Sequence, residues 1–427
     1  MTSFLKKYIP KDVLCRIQPI YHWLIAFLSA LWYHFPSREI KVVAITGTKG
    51  KTTTTELVSA LLEEAGYKTA IISTLRFKID KKAHRNLLKM TTPGRGVIQK
   101  ILRKAVTAGC DYAILELSSE GAKQYRHAFI SLDALIVTNI SPEHIESHGS
   151  YENYVKAKLS IAQALENSPK QNKTIITNGD DPETDKFLKF NIQNKINFSL
   201  KEAGDFVLTE NGALITLDGI KIQTHLVGKF NIYNTLAATA YAKSQGIKTE
   251  DLKNGLEKFT GVLGRMQKVY SPIYKDQQDF DIIVDYAHTA ESLKSAYSVY
   301  AGQRRMICVL GSTGGGRDKW KRSAMGKVAS DFCEEIILTN DDPYDEDPDQ
   351  IVCEMATGIE KNYDIIIDRQ EAIREAISRA KTGDVIMLTG KGTDPYLMEA
   401  NDKKTPWSDA GIAEKELDKH FAEKEGH

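Results

Sequence analysis

The chain has 427 residues, too many for one ordinary hydrophobic core, so two or three domains are expected. Its 42% hydrophobic and 26% charged residues are the balance of a globular protein, and 57 Lys and Arg against 56 Asp and Glu leave a net charge of +1, which excludes a global electrostatic case for nucleic-acid binding. The cysteines Cys15, Cys110, Cys308, Cys333 and Cys353 are far apart and form no C-x-x-C pair, which excludes a zinc ribbon or disulfide framework; they read as buried or free thiols in a reducing, cytoplasmic compartment.

Residues 12–35, DVLCRIQPIYHWLIAFLSALWYHF, place Leu14, Ile17, Tyr21, Leu24, Ile25, Leu28, Leu31 and Phe35 at helical spacing. The purely apolar stretch, residues 23–33, is shorter than the ~20 residues a spanning helix needs, and no small-residue cleavage site follows. Tyr21, Trp23, Trp32 and Tyr33, with Lys6, Lys7, Lys11 and Arg16 upstream, suit a helix lying at a membrane interface. Packing against the protein's own body or a partner subunit is the alternative.

After Pro36-Ser37-Arg38, a β-branched run at residues 42–45 reads as a buried strand. It leads into Thr46-Gly47-Thr48-Lys49-Gly50-Lys51-Thr52-Thr53 and then a helical pattern through Leu57, Val58 and Leu61. Strand, glycine loop, lysine, hydroxyl and helix together cradle a nucleoside triphosphate: backbone N–H groups approach the phosphates and the helix N-terminus adds positive potential. Lys51 then reaches the terminal phosphates and Thr52 ligates Mg2+. The spacing departs from G-x-x-x-x-G-K-[ST], because Ile45 stands five before Gly50.

Strands at 70–73, 112–117, 134–138 and 173–177 alternate with helices at 97–106 and 156–165, the signature of a parallel sheet covered by helices. Residues 205–226 read as hairpin strands joined by Asn-Gly and Asp-Gly turns, and a helix follows over 232–244. A second series begins near Gly264, with strands at 282–285, 306–310, 335–339, 364–367 and 385–388. The expected fold is α/β: a hydrophobic helical segment (1–38), a nucleotide-loop central domain with a mostly parallel sheet (39–260) and a smaller Rossmann-like domain (261–427). Glu116, ending YAILELSSEG, offers a carboxylate for Mg2+ at a strand's carboxyl end, and His144 and His148 lie in a loop rich in titratable groups, residues 141–149.

TGTKGKTT, LELSSEG, TNISPEHIESHGSYENYVKAK, NGDD, GKFNIYN, GRM, VDYAHT, GSTGGGRDKWKR, NDDP and GKG fall in the order seen in Mur ligases. Over residues 40–415 the chain resembles this family of ATP-dependent amide-forming enzymes of peptidoglycan precursor synthesis, and is most similar to the MurE type, which adds a diamino acid to a UDP-muramoyl dipeptide. The resemblance implies that Gly47 through Thr53 hold the ATP phosphates, and that Thr52, Glu116, His144 and a carbamylated Lys158 hold Mg2+. Asn231 and Asn234 resemble adenine contacts, and Arg265 and Asp285 phosphate and ribose contacts. Thr91, Thr92, Ser118, Ser119 and Arg126 match positions that touch the muramoyl peptide, and Arg317 one that takes the amino acid's α-carboxylate. Lys51, Glu116, His144 and Lys158 are thus the implied catalytic set, with closure of the second domain completing the site.

Three departures qualify the resemblance. The hydrophobic helix stands where the family has its uridine-gripping domain, so the acceptor's carrier is held differently or is another anchor, such as a lipid; the four-cysteine module of lipid-acting MurT-like relatives is absent. Where diaminopimelate enzymes read D-N-P-R, this chain has Asp341-Asp342-Pro343-Tyr344 followed by Asp345, Glu346 and Asp347, and Asp394 stands in GKGTD. An acidic pocket without the arginine suits a distal ammonium, as in lysine; a solvated acidic loop is the alternative. Lys49 replaces a common asparagine and Glu120 a common histidine. A lipid-linked or polyglutamyl acceptor, or a nucleotide-binding scaffold for wall synthesis, stays open beside the leading reading.

Overall fold

The computed structural model describes residues 11–143, 145–316 and 319–425, with side chains from Gln18 onward except that of Ile145. His144 and Arg317 therefore lie outside the described residues. The chain divides into two compact units, one of residues 1–207, 214–224 and 230–259, the other of residues 208–213, 225–229 and 260–427.

The strands of the first unit are β1 (Lys41–Thr46), β2 (Thr69–Ile72), β3 (Arg76–Ile79), β4 (Lys82–Arg85), β5 (Tyr112–Glu116), β6 (Ala134–Val137), β7 (Thr174–Asn178) and β8 (Asn194–Phe198). They form one sheet in the order β4-β3-β2-β5-β1-β6-β7-β8. From β2 to β8 every pairing is parallel, and β3 and β4 add an antiparallel edge. Val42 to Ile45 are fully buried, as a continuous β-branched and apolar run requires when helices cover both faces. Helices Lys51–Glu64, Arg95–Thr107 and Tyr151–Glu166 supply that cover. With β1 central between β5 and β6, three strands deliver their carboxyl ends to one place: the glycine loop, Glu116, and the loop beginning at Thr138.

Helix Lys11–Trp32 packs on this unit. Ala26 and Ala30 are buried, the rings of Trp23 and Phe27 meet Phe129 at 5.1 and 5.3 Å, and the Arg103 guanidinium donates to the carbonyls of Tyr33 and His34, both at 3.1 Å. The opposite face stays exposed at Ile20, Leu24, Leu28 and Leu31, four positions that recur on one side of the helix. Among the described residues no helix is long and apolar enough to cross a membrane.

β9 (Val207–Thr209), β10 (Gly212–Leu217) and β11 (Ile220–Thr224) form a small sheet, as the Asn-Gly and Asp-Gly turns foretell. The second unit carries β12 (Gln267–Val269), β13 (Asp281–Asp285), β14 (Met306–Leu310), β15 (Glu335–Leu338), β16 (Asp364–Ile365) and β17 (Val385–Thr389), in the order β12-β13-β17-β14-β15-β16. All of these pairings are parallel except that of β12 with β13. A short hairpin, β18 (Tyr396–Glu399) and β19 (Lys403–Pro406), precedes the last helix, Asp409–Glu425. The fully buried Arg369 makes two bonds to the fully buried Asp409, at 2.8 and 2.7 Å, and fastens that helix to the sheet.

The reading of all five cysteines as unpaired thiols is corrected here. Cys308 on β14 and Cys333, just before β15, are joined as a disulfide with Cα atoms 6.0 Å apart. The helical crossover between two neighbouring parallel strands brings together residues 25 apart in sequence, a proximity that spacing alone conceals. Cys110 and Cys353 are free.

Candidate functional site

The glycine loop starts where β1 ends, and its two glycines are there for space as well as for conformation. Gly47 has φ +149° and Gly50 φ +81°; a Cβ on Gly47 lies 1.9 Å from Thr138 Oγ1, and one on Gly50 lies 2.1 Å from Asn234 Oδ1. Gly50 caps helix Lys51–Glu64, so the helix's first free N–H groups open onto the loop. The Lys51 ammonium donates to the carbonyls of Gly47 and Thr48, each at 2.9 Å, and lies across the concavity it borders. Lys49 pairs with Glu143 at 2.5 Å; the lysine that departs from the family pattern thus has a carboxylate partner on the loop after β6.

Glu116 is buried at the end of β5. Its Oε2 accepts from Thr52 at 3.3 Å and from Thr74 at 2.7 Å, and the hydroxyls of Thr74 and Thr91 lie 3.0 Å apart, with Thr91 donating when Thr74 gives its proton to the carboxylate. Thr92 donates to the Glu116 carbonyl at 3.1 Å and accepts from the Ser118 N–H at 2.8 Å. Arg126 donates to the Thr92 carbonyl and to Gln124 at 2.8 Å, and Ser119 meets His148 Nε2 at 3.1 Å. Thr52, Glu116, Thr91, Thr92, Ser118 and Arg126 therefore belong to one hydrogen-bonded group. Thr74, which joins the glycine-loop helix to the Thr91-Thr92 loop through Glu116, carries no motif in the sequence.

Lys158 is 1% exposed on helix Tyr151–Glu166. Its ammonium donates to the Gly47 carbonyl at 2.7 Å and sits 4.9 Å over the Tyr154 ring; among the described residues no carboxylate pairs with it. Burial, and then the neighbouring Lys51 charge, push it well below the ordinary lysine range, against a pull from Glu143. Tyr154, another residue missed in the sequence, also bonds the Thr48 hydroxyl at 2.7 Å and so fixes the loop to this helix. Asn231 and Asn234, both buried on helix Lys229–Ser244, bond each other at 2.9 Å, with Asn234 against Gly50.

Whether these residues suit a triphosphate and its metal can be judged from the donors present. A loop that excludes Cβ atoms at Gly47 and Gly50, an open helix N-terminus, a lysine, and a hydroxyl beside a buried carboxylate are the donor set of an oxygen-ligated Mg2+ with phosphates. Among the described residues no three His, Cys, Asp or Glu gather as a preformed metal cluster.

In the second unit, the Arg265 guanidinium stacks on Tyr286 at 4.4 Å, and Asp285 accepts from the N–H groups of Met266 and Ala287 at 2.8 and 2.7 Å. The open acidic pocket expected at Asp341 and Asp342 is not found. Both are 3% exposed, and the fully buried Lys391 lies 3.5 Å from Asp341 and 2.6 Å from Asp342; Asp342 also accepts from the Met398 N–H. Asp394 flanks the same ammonium at 3.7 Å. The neighbouring acids have structural partners too: Asp345 takes the Asn401 N–H, Glu346 pairs with Arg322 at 3.0 Å, and Asp347 caps helix Pro348–Ala356. A lysine fifty residues downstream neutralises what the local acidic run advertises.

Residues 45–242 match the family described as the Mur ligase middle domain, and residues 264–392 match the Mur ligase glutamate ligase domain. The UDP-N-acetylmuramoyl-L-alanyl-D-glutamate–2,6-diaminopimelate ligase of Syntrophomonas wolfei subsp. wolfei is 37% identical over 403 residues, covering 89% of this chain and 80% of that protein. This chain belongs to the Mur ligase family. It is an ATP-dependent ligase. The enzyme of the same name from Bacillus cereus is 34% identical over 388 residues, covering 87% of this chain and 77% of that one. A solved structure of a ligase of that name superposes with a TM-score of 0.60 at 28% identity, over 90% of this chain and 79% of the other.

Proposed function

We propose that this Mur ligase activates a muramoyl-peptide carboxylate as an acyl phosphate and joins it to a diamino acid of the lysine type in peptidoglycan precursor synthesis. The observation that carries the reading is the hydrogen-bonded group at Glu116, which ties the glycine loop through Thr52 to the acceptor loop through Thr74, Thr91 and Thr92. A carboxylate oxygen of the acceptor attacks the γ-phosphorus of ATP and ADP leaves. The amine of the incoming amino acid then attacks the acyl carbon, and phosphate departs with the carboxylate oxygen as the amide forms.

Lys51 and the helix N-terminus hold phosphate charge in place, which is most of what phosphoryl transfer requires. Thr52, Glu116, His144 and Lys158 would hold Mg2+, which neutralises charge on the phosphates. For Lys158 this needs CO2: its neutral Nζ adds to the carbon, loses a proton, and becomes an anionic oxygen donor. Its burial against a carbonyl and a ring, with no carboxylate pairing it among the described residues, favours the neutral amine that the addition consumes. Thr92, Ser118, Ser119 and Arg126 would orient the peptide, Asn231 and Asn234 the adenine, Arg265 and Asp285 the nucleotide, and Arg317 the α-carboxylate.

Lysine rather than diaminopimelate is favoured because Tyr344 stands where D-N-P-R supplies an arginine for the distal carboxylate. The purified protein with ATP, UDP-muramoyl dipeptide and a panel of amino acids tests this: the product mass is expected to show lysine added in preference to diaminopimelate. Preference for diaminopimelate refutes the specificity, and no product with any amino acid refutes the ligase reading.

A further inference from the structure

Helix Lys11–Trp32 has two unlike faces. One is fastened to the first unit: Ala26 and Ala30 are buried, a Cβ on Gly96 lies 3.6 Å from Ser29 Oγ, and the Arg103 guanidinium holds the carbonyls of Tyr33 and His34. The other face is exposed and apolar. At 3.6 residues per turn, Ile20, Leu24, Leu28 and Leu31 fall within an arc of about 80°, and Trp23 and Trp32 stand at its two margins. All six are exposed, from 46% at Leu24 to 78% at Trp32. From Ile17 to Ser37 the sequence holds no Asp, Glu, Lys or Arg, so no charge interrupts the ridge. A single exposed leucine is ordinary on a protein surface, whereas a continuous ridge of large apolar side chains marks an interaction surface.

The charges around the ridge say what covers it. Helix Arg95–Thr107, on which it packs, carries Arg95, Lys100, Arg103 and Lys104 and no acid, and Lys100 and Lys104 are exposed. Arg38, also exposed, stacks on Phe35 at 4.5 Å just past the end of the helix. Glu39, the first acid after the ridge in sequence, is paired with Arg103 at 2.6 Å. Ahead of the ridge the sequence adds Lys6, Lys7, Lys11 and Arg16 against Asp12 alone. Three occupants meet these charges differently. A second copy, ridge to ridge about a two-fold axis, sets like cations against one another. An uncharged apolar partner leaves the cations unpaired. An anionic bilayer satisfies both: leucines enter the boundary of headgroups and acyl chains, tryptophans lie at headgroup level, and lysines and arginines meet lipid phosphates.

We propose that helix Lys11–Trp32 is a membrane-docking face, which lays its apolar ridge and two tryptophans into the surface of an anionic bilayer while Arg38, Lys100 and Lys104 engage lipid phosphates. The helix lies in the plane of that surface: its inner face is committed to the protein, and among the described residues no helix is long and apolar enough to cross a membrane. The bilayer holds the enzyme and not its substrate, so a soluble UDP-linked acceptor serves the docked and the free enzyme alike.

The full chain is titrated with vesicles of phosphatidylcholine containing one-third phosphatidylglycerol, and with vesicles of phosphatidylcholine alone, and binding is read by co-sedimentation. Saturable binding is expected, at least tenfold tighter on the anionic vesicles. Leu24→Glu with Leu28→Glu, at exposed positions, is expected to weaken it at least tenfold, and Lys100→Glu with Lys104→Glu at least threefold. Brominated acyl chains are expected to quench the tryptophan fluorescence of the parent, and Trp23→Phe with Trp32→Phe to lose that quenching. An unchanged unfolding midpoint shows that each variant is folded; where the Leu24 and Leu28 pair unfolds, the quenching decides. No binding, equal binding to both kinds of vesicle, binding indifferent to the Leu24 and Leu28 pair, or quenching that survives the loss of both tryptophans overturns the proposal. So does a dimer in solution that the Leu24 and Leu28 pair abolishes, without vesicle binding by the parent, which assigns the ridge to a second copy. No turnover is read, so failure here leaves the ligase reading standing.

Discussion

Replacing Lys391 by methionine separates a structural role for the acidic cluster from a substrate-binding one. The ammonium is fully buried, 2.6 Å from Asp342, 3.5 Å from Asp341 and 3.7 Å from Asp394. Methionine keeps the length and apolar stem of the side chain, so little packing is lost and the change is chiefly one of charge. Removing one member of a buried ion pair costs about 3–5 kcal/mol, because the partner is left charged and desolvated. Asp341, which burial already pushes above the usual carboxylate range, can take up a proton in response, while Asp342 keeps the Met398 N–H. Against a total stability of roughly 5–15 kcal/mol, the loss is a large fraction. Urea unfolding followed by circular dichroism is expected to show a clearly lowered midpoint for K391M, and K391M with Asp342→Asn to regain part of it. A K391M protein as stable as the parent, but with a strongly raised KM for the amino acid, refutes the structural reading and returns the acids to the substrate.

Gly50→Ala puts a methyl group 2.1 Å from Asn234 Oδ1 at a φ of +81°, so strain of ~1–2 kcal/mol adds to a displaced Asn234; ATP affinity is expected to fall tenfold or more, and unchanged affinity contradicts the cradle. Lys158 is expected to carry an added CO2 when the protein is mapped by native mass spectrometry in bicarbonate, and Lys158→Gln to lose at least a hundredfold in kcat; full activity of the glutamine variant rules out a carbamate ligand. Deleting residues 1–36 is expected to abolish flotation with anionic vesicles, as the exposed ridge at Ile20, Leu24, Leu28 and Leu31 and the upstream lysines suggest; equal flotation of both forms removes the helix from membrane contact.

What the sequence makes legible follows the range of the physics involved. The central strands of the two large sheets are continuous apolar runs, whereas edge strands such as β4 and β8 are polar and carry no such signal, and the glycine loop announces itself because close backbone approach admits no other residue at Gly47 and Gly50. Glu116, Lys158, Thr91 and Thr92 are recognisable through ordered motifs. Interactions between distant residues are not. Thr74 and Tyr154 are ordinary residues in sequence and acquire significance only through the hydroxyl bonds they make across the sheet. The acids at 341–347 look like an open binding loop until Lys391 arrives from another strand end, and Cys308 and Cys333 look independent until a crossover sets them side by side. The hydrophobic helix is the mixed case: periodicity identifies it, but only its packing shows that one face lies on the protein and the other faces outward.

The central claim, that the acceptor's carboxylate is activated by direct attack on ATP, is tested most directly by oxygen tracing. With UDP-muramoyl dipeptide labelled with oxygen-18 in its terminal carboxylate, ATP and lysine, one labelled oxygen is predicted to appear in inorganic phosphate for each amide formed. Unlabelled phosphate released alongside ADP means that water, not the carboxylate, attacks the nucleotide, and contradicts the account.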